Sequence, residues 1–109
     1  MKWGIIGALD AEVLTIQEAM TEKQEVESSF IRFTCGKLGD QEVVVCCCGI
    51  GTVNAAANTQ MMIDRFGVDC VINTGIAGAA DNRLKVMDLV ISTEVIYHDR
   101  AEDPYIKYS

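Results

Sequence analysis

The sequence predicts an α/β fold with three layers, in which a mixed central sheet is flanked by helices. Short apolar strands alternate with helix-like segments along the 109 residues. The Gly39-Asp40 pair, placed between two strand-like segments, is typical of a tight hairpin turn. Residues 42–48 are almost continuously apolar, which indicates a strand buried on both faces. A hairpin combined with strand–helix–strand connections predicts a mixed sheet.

The first part of the chain contains one helix and the hairpin. Residues 2–7 are expected to form a strand, and residues 10–21 a helix whose approximate apolar stripe is Val13, Leu14, Ile16, Gln17 and Met20. The polar residues 22–28 are expected to be a connection. The hairpin then follows, with one strand over residues 30–35 and the return strand over residues 42–48.

The second part begins where Gly49-Ile50-Gly51 breaks the return strand. Thr52 is the expected N-cap of a second helix that ends at Gly67, and its expected packing side is Val53, Ala56, Ala57, Met61 and Met62. After it we expect a strand over residues 68–73, a Gly/Ala-rich loop over 74–80 and a strand over 89–97. No helix follows to cover the sheet. We therefore expect residues 1–109 to form one partial domain, apparently truncated, with a divergent tail over 99–109.

Composition excludes several classes of function. The net charge of −7, from 9 basic and 16 acidic residues, leaves no basic footprint for nucleic acid. The apolar stretches are too short to span a membrane. The N-terminus lacks the pattern of a signal peptide, so a cytoplasmic location is expected.

The five cysteines are not arranged as a disulfide framework or a metal site. Their number is odd, and the run Cys46-Cys47-Cys48 lacks the Cys-x-x-Cys spacing of metal ligands. Within a strand, Cys46 and Cys48 should face one side and Cys47 the other. We expect the three cysteines of this run to be small buried apolar side chains, and we expect neither a metal nor an organic cofactor.

One carboxylate, Glu12, lies on the first helical turn after the first strand. In open α/β sheets ligands bind at the carboxyl ends of the strands, so this acid is aimed at a ligand crevice. The alternative is that Asp10 and Glu12 only stabilise the N-terminus of the helix.

Three strand ends are rich in small residues: Gly7-Ala8, Gly49-Ile50-Gly51 and residues 74–80. If the three strands are neighbours, their turns line one rim. Glycine allows close backbone approach, and helix N-termini offer free N–H groups, which suits a small flat ligand with polar edges. Glycine at a strand end is also ordinary turn chemistry, so each turn alone is weak evidence.

Four segments resemble 5′-methylthioadenosine/S-adenosylhomocysteine nucleosidases, within the purine nucleoside phosphorylase superfamily. They are Met1 to Val13 (MKWGIIGALDAEV), residues 49–56 (GIGTVNAA), residues 71–78 (VINTGIAG) and Tyr97-His98-Asp99. The resemblance covers about the first 99 residues and the N-terminal half of the family's pattern. It implies hydrolysis of the N-glycosidic bond of a nucleoside thioether to release adenine, a reaction of methionine salvage.

The resemblance also assigns residues. Glu12 would be the general base that activates water. The substrate-binding residues would be Ala8 and Ile50 on the water and ribose side, and Ile76, Ala77 and Gly78 on the base side. Ile76 stands where related enzymes often have a small hydroxyl residue. Two carboxylates and no arginine in residues 8–12 favour water over phosphate as the nucleophile.

The resemblance leaves alternatives open. The family's general acid, an Asp, and its ribose-binding Met-Glu pair lie in the second half of longer chains, which this sequence does not match. The chain could therefore be a catalytically incomplete relative or a purine-binding module, or it could belong to another nucleoside hydrolase or phosphorylase. The resemblance further implies that the protein is a homodimer and that it binds a small nucleoside substrate. It implies no nucleic-acid or membrane partner, no cofactor and no metal.

Overall fold

The computed structural model describes residues 1–95, and the chain divides into two compact units, Met1–Ala77 and Gly78–Ser109. Within residues 1–95 the helices and strands lie in the first unit. In chain order they are β1 (Lys2–Gly7), α1 (Asp10–Ala19), β2 (Thr21–Ser28), β3 (Ile31–Leu38), β4 (Gln41–Cys47), α2 (Thr52–Phe66) and β5 (Cys70–Asn73).

The five strands form one mixed sheet in the order β2-β3-β4-β1-β5. β1 lies between β4 and β5 and runs parallel to both. β2, β3 and β4 form an antiparallel meander. The predicted α/β class with a mixed sheet is confirmed.

The sheet has a helix on each face. On one face Val13 of α1 and Met20, the residue that follows α1, pack with Ile5, Val43 and Val45. On the other face Met62 of α2 packs with residues from β1, β3 and β4, namely Ile6, Phe33, Val44 and Cys46. The structure therefore has the three expected layers, and β4 is buried on both faces as its apolar run predicted.

The expectation of a connection over residues 22–28 is wrong, because these residues belong to β2. Their side chains are mostly exposed, so they lack the apolar alternation that marks a half-buried strand. The backbone nevertheless pairs with β3 along its length, with a register shift between Thr21 and Gln24. Charged side chains on an outer strand discourage pairing with other molecules, which explains the polar composition. α1 correspondingly ends at Ala19.

The predicted packing side of α2 is confirmed at Met61 and Met62 and is wrong at the other three positions. Val53 is 81% exposed, and Ala56 and Ala57 are exposed as well. The buried residues are Asn58 and Met62, with Ala55 packed beside them. The apolar stripe did not identify the buried face correctly, because the polar Asn58 is buried there with its hydrogen bonds satisfied. Gly51, rather than Thr52, is the N-cap, while Gly67 is the left-handed C-cap as predicted.

The described part of the second unit, residues 78–95, contains turns and irregular backbone. Arg83 forms a salt bridge with Asp81 at 2.7 Å. Residues 89–94 do not form the strand that was expected over 89–97, and Val95 makes only an isolated bridge. The end of that expected strand, Tyr97-His98-Asp99 and the tail lie outside the described residues.

The cysteine side chains follow the predicted alternation. Cys46 and Cys48 pack on the α2 face, and Cys47 packs on the α1 face. All five thiols are free. In the run expected to be buried, Cys46 is buried and Cys47 and Cys48 are half-buried, whereas Cys70 lies outside that run and is exposed. Of the helices in the described residues, neither has the length and apolar character needed to cross a membrane.

Candidate functional site

Three turns meet at one edge of the sheet, at the carboxyl ends of β4, β1 and β5. Gly7 is in register with Cys47, and the N–H of Cys48 donates to the carbonyl oxygen of Gly7 at 2.8 Å. On the other side the N–H of Thr74 donates to the carbonyl oxygen of Ile6 at 2.9 Å. The turn after β1 therefore lies between the other two. We call these three turns together the glycine rim.

Glu12, the third residue of α1, folds back onto the turn after β1. Its Oε2 accepts hydrogen bonds from the N–H of Ala8 at 2.7 Å and from the N–H of Leu9 at 2.9 Å. Leu9 is the N-cap of α1. A glutamate at the third helical position that accepts the N-cap N–H is one half of a capping box. Glu12 thus stabilises the start of its own helix, as the structural alternative proposed.

The second oxygen of Glu12 faces a different turn. A Cβ atom built on Gly75 would lie 3.0 Å from Oε1 of Glu12, so the carboxylate rests against the backbone after β5. Glycine permits this close approach, because a side chain here would press on the carboxylate. Glu12 consequently spans two turns of the rim, and its role extends beyond capping.

Backbone hydrogen bonds hold the pKa of the Glu12 carboxyl below its ordinary value of 4.5. The N–H of Leu9 contributes most to this lowering of the pKa. Partial burial raises the pKa and so opposes the shift, whereas the backbone N–H groups of Ala8 and Ile76 lower it further. Hydrogen bonds donated to a carboxylate favour its charged form. Glu12 is therefore ionised at neutral pH and can accept a hydrogen bond from water or stabilise a nearby positive charge.

Two asparagines of α2 hold the turn after β4. Nδ2 of Asn54 donates to the carbonyl oxygen of Ile50 at 2.8 Å. Nδ2 of Asn58 donates to the carbonyl oxygen of Cys48 at 3.4 Å, and the thiol of Cys46 donates to Oδ1 of Asn58 at 3.3 Å. Neither asparagine was assigned a role from the sequence. Their spacing of four residues, on one side of an alanine-rich helix, was the available signal.

Four of the five residues expected to bind substrate belong to the first unit. Ala8 contacts Glu12 directly, Ile50 lies on the turn after β4, and Ile76 and Ala77 follow the turn after β5. Ile50 is 75% exposed and Ile76 is 90% exposed, so the rim is an open surface in this unit. The fifth residue, Gly78, is the first residue of the second unit.

Two cavities of the first unit lie away from Glu12. One, of about 190 Å³, lies at the opposite end of the sheet and includes Lys2, Cys35 and Glu42 in its lining. The other, of about 480 Å³, lies between α1 and the β2–β3 pair and reaches Asp10 and Cys47 beside the rim. No three His, Cys, Asp or Glu side chains within residues 1–95 are grouped as a metal site would require.

Comparison with known proteins places the chain in a family. The model of the phosphorylase superfamily matches residues 2–109. The 5′-methylthioadenosine/S-adenosylhomocysteine nucleosidase of Staphylococcus carnosus (strain TM300) is 45% identical over 96 residues, which are 88% of this chain and 42% of that protein. The chain thus spans less than half the length of this curated relative.

Solved structures agree. The nucleosidase of the same name from Colwellia psychrerythraea 34H, in complex with adenine, superposes with a TM-score of 0.89 at 48% identity, covering 91% of this chain and 41% of that one. The futalosine hydrolase of Helicobacter pylori strain 26695 superposes with a TM-score of 0.86 at 30% identity, covering 100% of this chain and 48% of that one.

Proposed function

The chain belongs to the phosphorylase superfamily, and from this premise we propose that it carries the water-activating part of a 5′-methylthioadenosine/S-adenosylhomocysteine nucleosidase. Such an enzyme hydrolyses the N-glycosidic bond of its substrate and releases adenine. The observation that carries the proposal is the placement of Glu12, whose Oε2 is fixed by the turn after β1 while its Oε1 faces the turn after β5. The nucleosidase from Colwellia, with adenine bound, supports the substrate class.

In the proposed reaction the bond between the sugar's anomeric carbon and the purine nitrogen breaks, and a bond from that carbon to a water oxygen forms. The proton lost by the water passes to Glu12, and the purine departs after protonation by a group outside this rim. Reactions of this kind pass through an oxocarbenium-like transition state. An ionised carboxylate near the sugar stabilises that positive charge as well as holding the water.

The chemistry of the first turn supports water as the nucleophile. Phosphate would need a cradle of N–H groups with an arginine or hydroxyl side chain. Residues 8–12 instead contain Asp10 and Glu12, and the N–H groups of Ala8 and Leu9 are already occupied by Glu12. Negative charge at this position repels phosphate. Ile76 contributes an apolar side chain at the third turn and no hydroxyl.

The first experiment measures adenine release from 5′-methylthioadenosine, with and without phosphate, using two proteins. One is the 109-residue chain. The other is a chimera in which the chain replaces the segment that it matches in the Colwellia nucleosidase. We expect the chimera to release adenine without phosphate, and Glu12→Gln to lower its rate by about 10²–10⁴-fold, the usual contribution of a general base. Glu18→Gln, an exposed acid on the same helix, is the matched control and should leave the rate unchanged.

Each alternative has its own outcome. Full activity of the Glu12→Gln chimera would remove Glu12 from the mechanism. A requirement for phosphate would favour a phosphorylase. Adenine binding by the 109-residue chain without turnover, beside an active chimera, would favour a purine-binding module or a catalytically incomplete relative.

We also propose that the functional protein is a cytoplasmic homodimer with no nucleic-acid or membrane partner. Support for a dimer comes from α2, where Val53, Ala56, Ala57 and Ile63 form an apolar stripe turned away from the chain's own sheet. Free thiols throughout the chain are typical of a reducing compartment. The net charge of −7 disfavours nucleic acid and acidic lipid surfaces.

A further inference from the structure

Cys47, the last residue of β4, lies beside the turn after β1. Its partner in the parallel ladder is Gly7, so the side chain emerges next to the following residue, Ala8. Sγ of Cys47 donates to the carbonyl oxygen of Ala8 at 3.6 Å. The thiol is half-buried and packs on the α1 face of the sheet.

The thiol remains a hydrogen-bond donor at neutral pH. Burial is the main cause that raises the pKa of the Cys47 thiol, the carboxylate of Asp10 raises it further, and the backbone of Gly49 opposes the rise, so the sulfur keeps its proton. The hydrogen bond from this thiol therefore links the end of β4 to the turn after β1.

Ala8 is consequently held from both sides. Its N–H donates to Oε2 of Glu12 at 2.7 Å, and its carbonyl oxygen accepts from Cys47 at 3.6 Å. The orientation of the Ala8 and Leu9 N–H groups depends on the path of this short turn. A contact that fixes the carbonyl of Ala8 also restricts the rotation of the backbone that presents these two donors.

We propose that Cys47 is a positioning residue, whose thiol fixes the Ala8–Leu9 turn so that both N–H groups stay directed at the carboxylate of Glu12. The effect of Cys47 on catalysis rests on the proposed function. The dependence of the Glu12 carboxylate on Cys47 can be tested without an activity assay. Cys47 would influence the reaction only through Glu12 and would not touch the substrate.

The experiment measures the pKa of Glu12 in the 109-residue chain by NMR, following the side-chain carboxyl carbon through an acid titration. Cys47→Val removes the donor, and Cys47→Ser retains an O–H donor. We expect the pKa of Glu12 to rise toward its ordinary value in Cys47→Val and to stay lowered in Cys47→Ser. Cys70→Ala, a thiol removed at the opposite end of the parallel strands, is the control and should leave the Glu12 titration unchanged.

Three results would overturn the inference. These are an unchanged Glu12 titration in a folded Cys47→Val chain, an equal rise in Cys47→Ser, or the same rise in Cys70→Ala. If Cys47→Val does not fold, Cys47→Ala, which removes the thiol without adding a methyl group, is titrated by the same criteria.

Kinetics of the chimera separate this inference from the proposed function. We expect Cys47→Val to lower kcat about tenfold, the factor equivalent to one lost hydrogen bond, with KM nearly unchanged. If no chimera releases adenine while the Glu12 pKa still shifts as expected, the proposed function fails and the positioning role of Cys47 stands. If the chimera is active but Cys47→Val changes neither kcat nor the Glu12 pKa, the positioning role fails alone.

Discussion

The two carboxylate oxygens of Glu12 have different surroundings, and this difference reconciles its two roles. Oε2 is committed to the N–H groups of Ala8 and Leu9, which fixes the side chain against its own helix. Oε1 faces Gly75 at the neighbouring turn. A side chain immobilised through one oxygen loses little conformational entropy when the other binds a water molecule. Capping thus prepares Glu12 for the chemistry proposed for it.

The contact with Gly75 predicts the effect of adding one methyl group. In Gly75→Ala the new Cβ would lie 3.0 Å from Oε1 of Glu12, and the carboxylate must move away. Because the displaced atom ends a flexible side chain, we expect little change in stability but a fall in chimera kcat of about ten- to a hundredfold. Glu18→Gln, the exposed acid of α1, is the control and should keep the full kcat. Equal activity of both variants in the adenine-release assay would contradict the prediction.

The lowered pKa of Glu12 predicts a pH-dependent contribution to stability. A carboxyl whose folded pKa lies below its unfolded value stabilises the fold above the unfolded pKa, and this contribution disappears as pH falls through the folded pKa. We therefore expect the 109-residue chain to be more stable than its Glu12→Gln variant at neutral pH. The difference should shrink as pH falls below the ordinary value of 4.5. Urea denaturation of both proteins at stepwise lower pH measures this, and a difference independent of pH would refute it.

At the scale of elements, each turn of the rim is held by a side chain from the helix that follows it or from a neighbouring turn. Glu12 of α1 holds the turn after β1, and Asn54 and Asn58 of α2 hold the turn after β4. Asn58 is only 1% exposed, so its polar atoms depend on these partners. The path of the second turn is therefore set by α2 rather than by the glycines alone.

Removal of Asn58 should destabilise the α2 layer. In Asn58→Ala the carbonyl of Cys48 and the thiol of Cys46 lose their partner, and a cavity remains beside the sheet. A buried polar group left unsatisfied costs about 1–3 kcal/mol, so we expect a loss of unfolding free energy of that size. Gln60→Ala, an exposed position on the same helix, should change stability by less than about 0.5 kcal/mol. Urea denaturation compares them, and equal losses would contradict the assignment.

For the whole molecule, the apolar strands and glycine turns were sufficient to predict the fold class. Local composition correctly predicted four features: β1, β4, the hairpin turn and the end of α2 at Gly67. β2 was missed because an exposed edge strand carries no apolar alternation, and its pairing is visible only in three dimensions. The inward face of α2 was predicted correctly at Met61 and Met62 but not at its N-terminal half, where a buried, hydrogen-bonded Asn58 occupies the place of an apolar residue. The proximity of Gly75 to Glu12 depends on the strand order β4-β1-β5, which no local pattern encodes.

The misassigned face of α2 leads to a prediction about assembly. The stripe of Val53, Ala56, Ala57 and Ile63 has helical spacing but faces away from the sheet, so its apolar character needs another explanation. Contact with a second copy would supply one, since homodimers commonly bury apolar helix faces. We expect Val53→Glu to weaken self-association, because a carboxylate would be buried without a partner. Leu14→Glu, a matched change at a half-exposed apolar position of α1, should leave self-association unchanged.

Light scattering coupled to size-exclusion chromatography over a range of concentrations measures the effect. A dimer unaffected by Val53→Glu would place the interface elsewhere, and a wild-type chain that is monomeric at every concentration would refute the homodimer for this polypeptide.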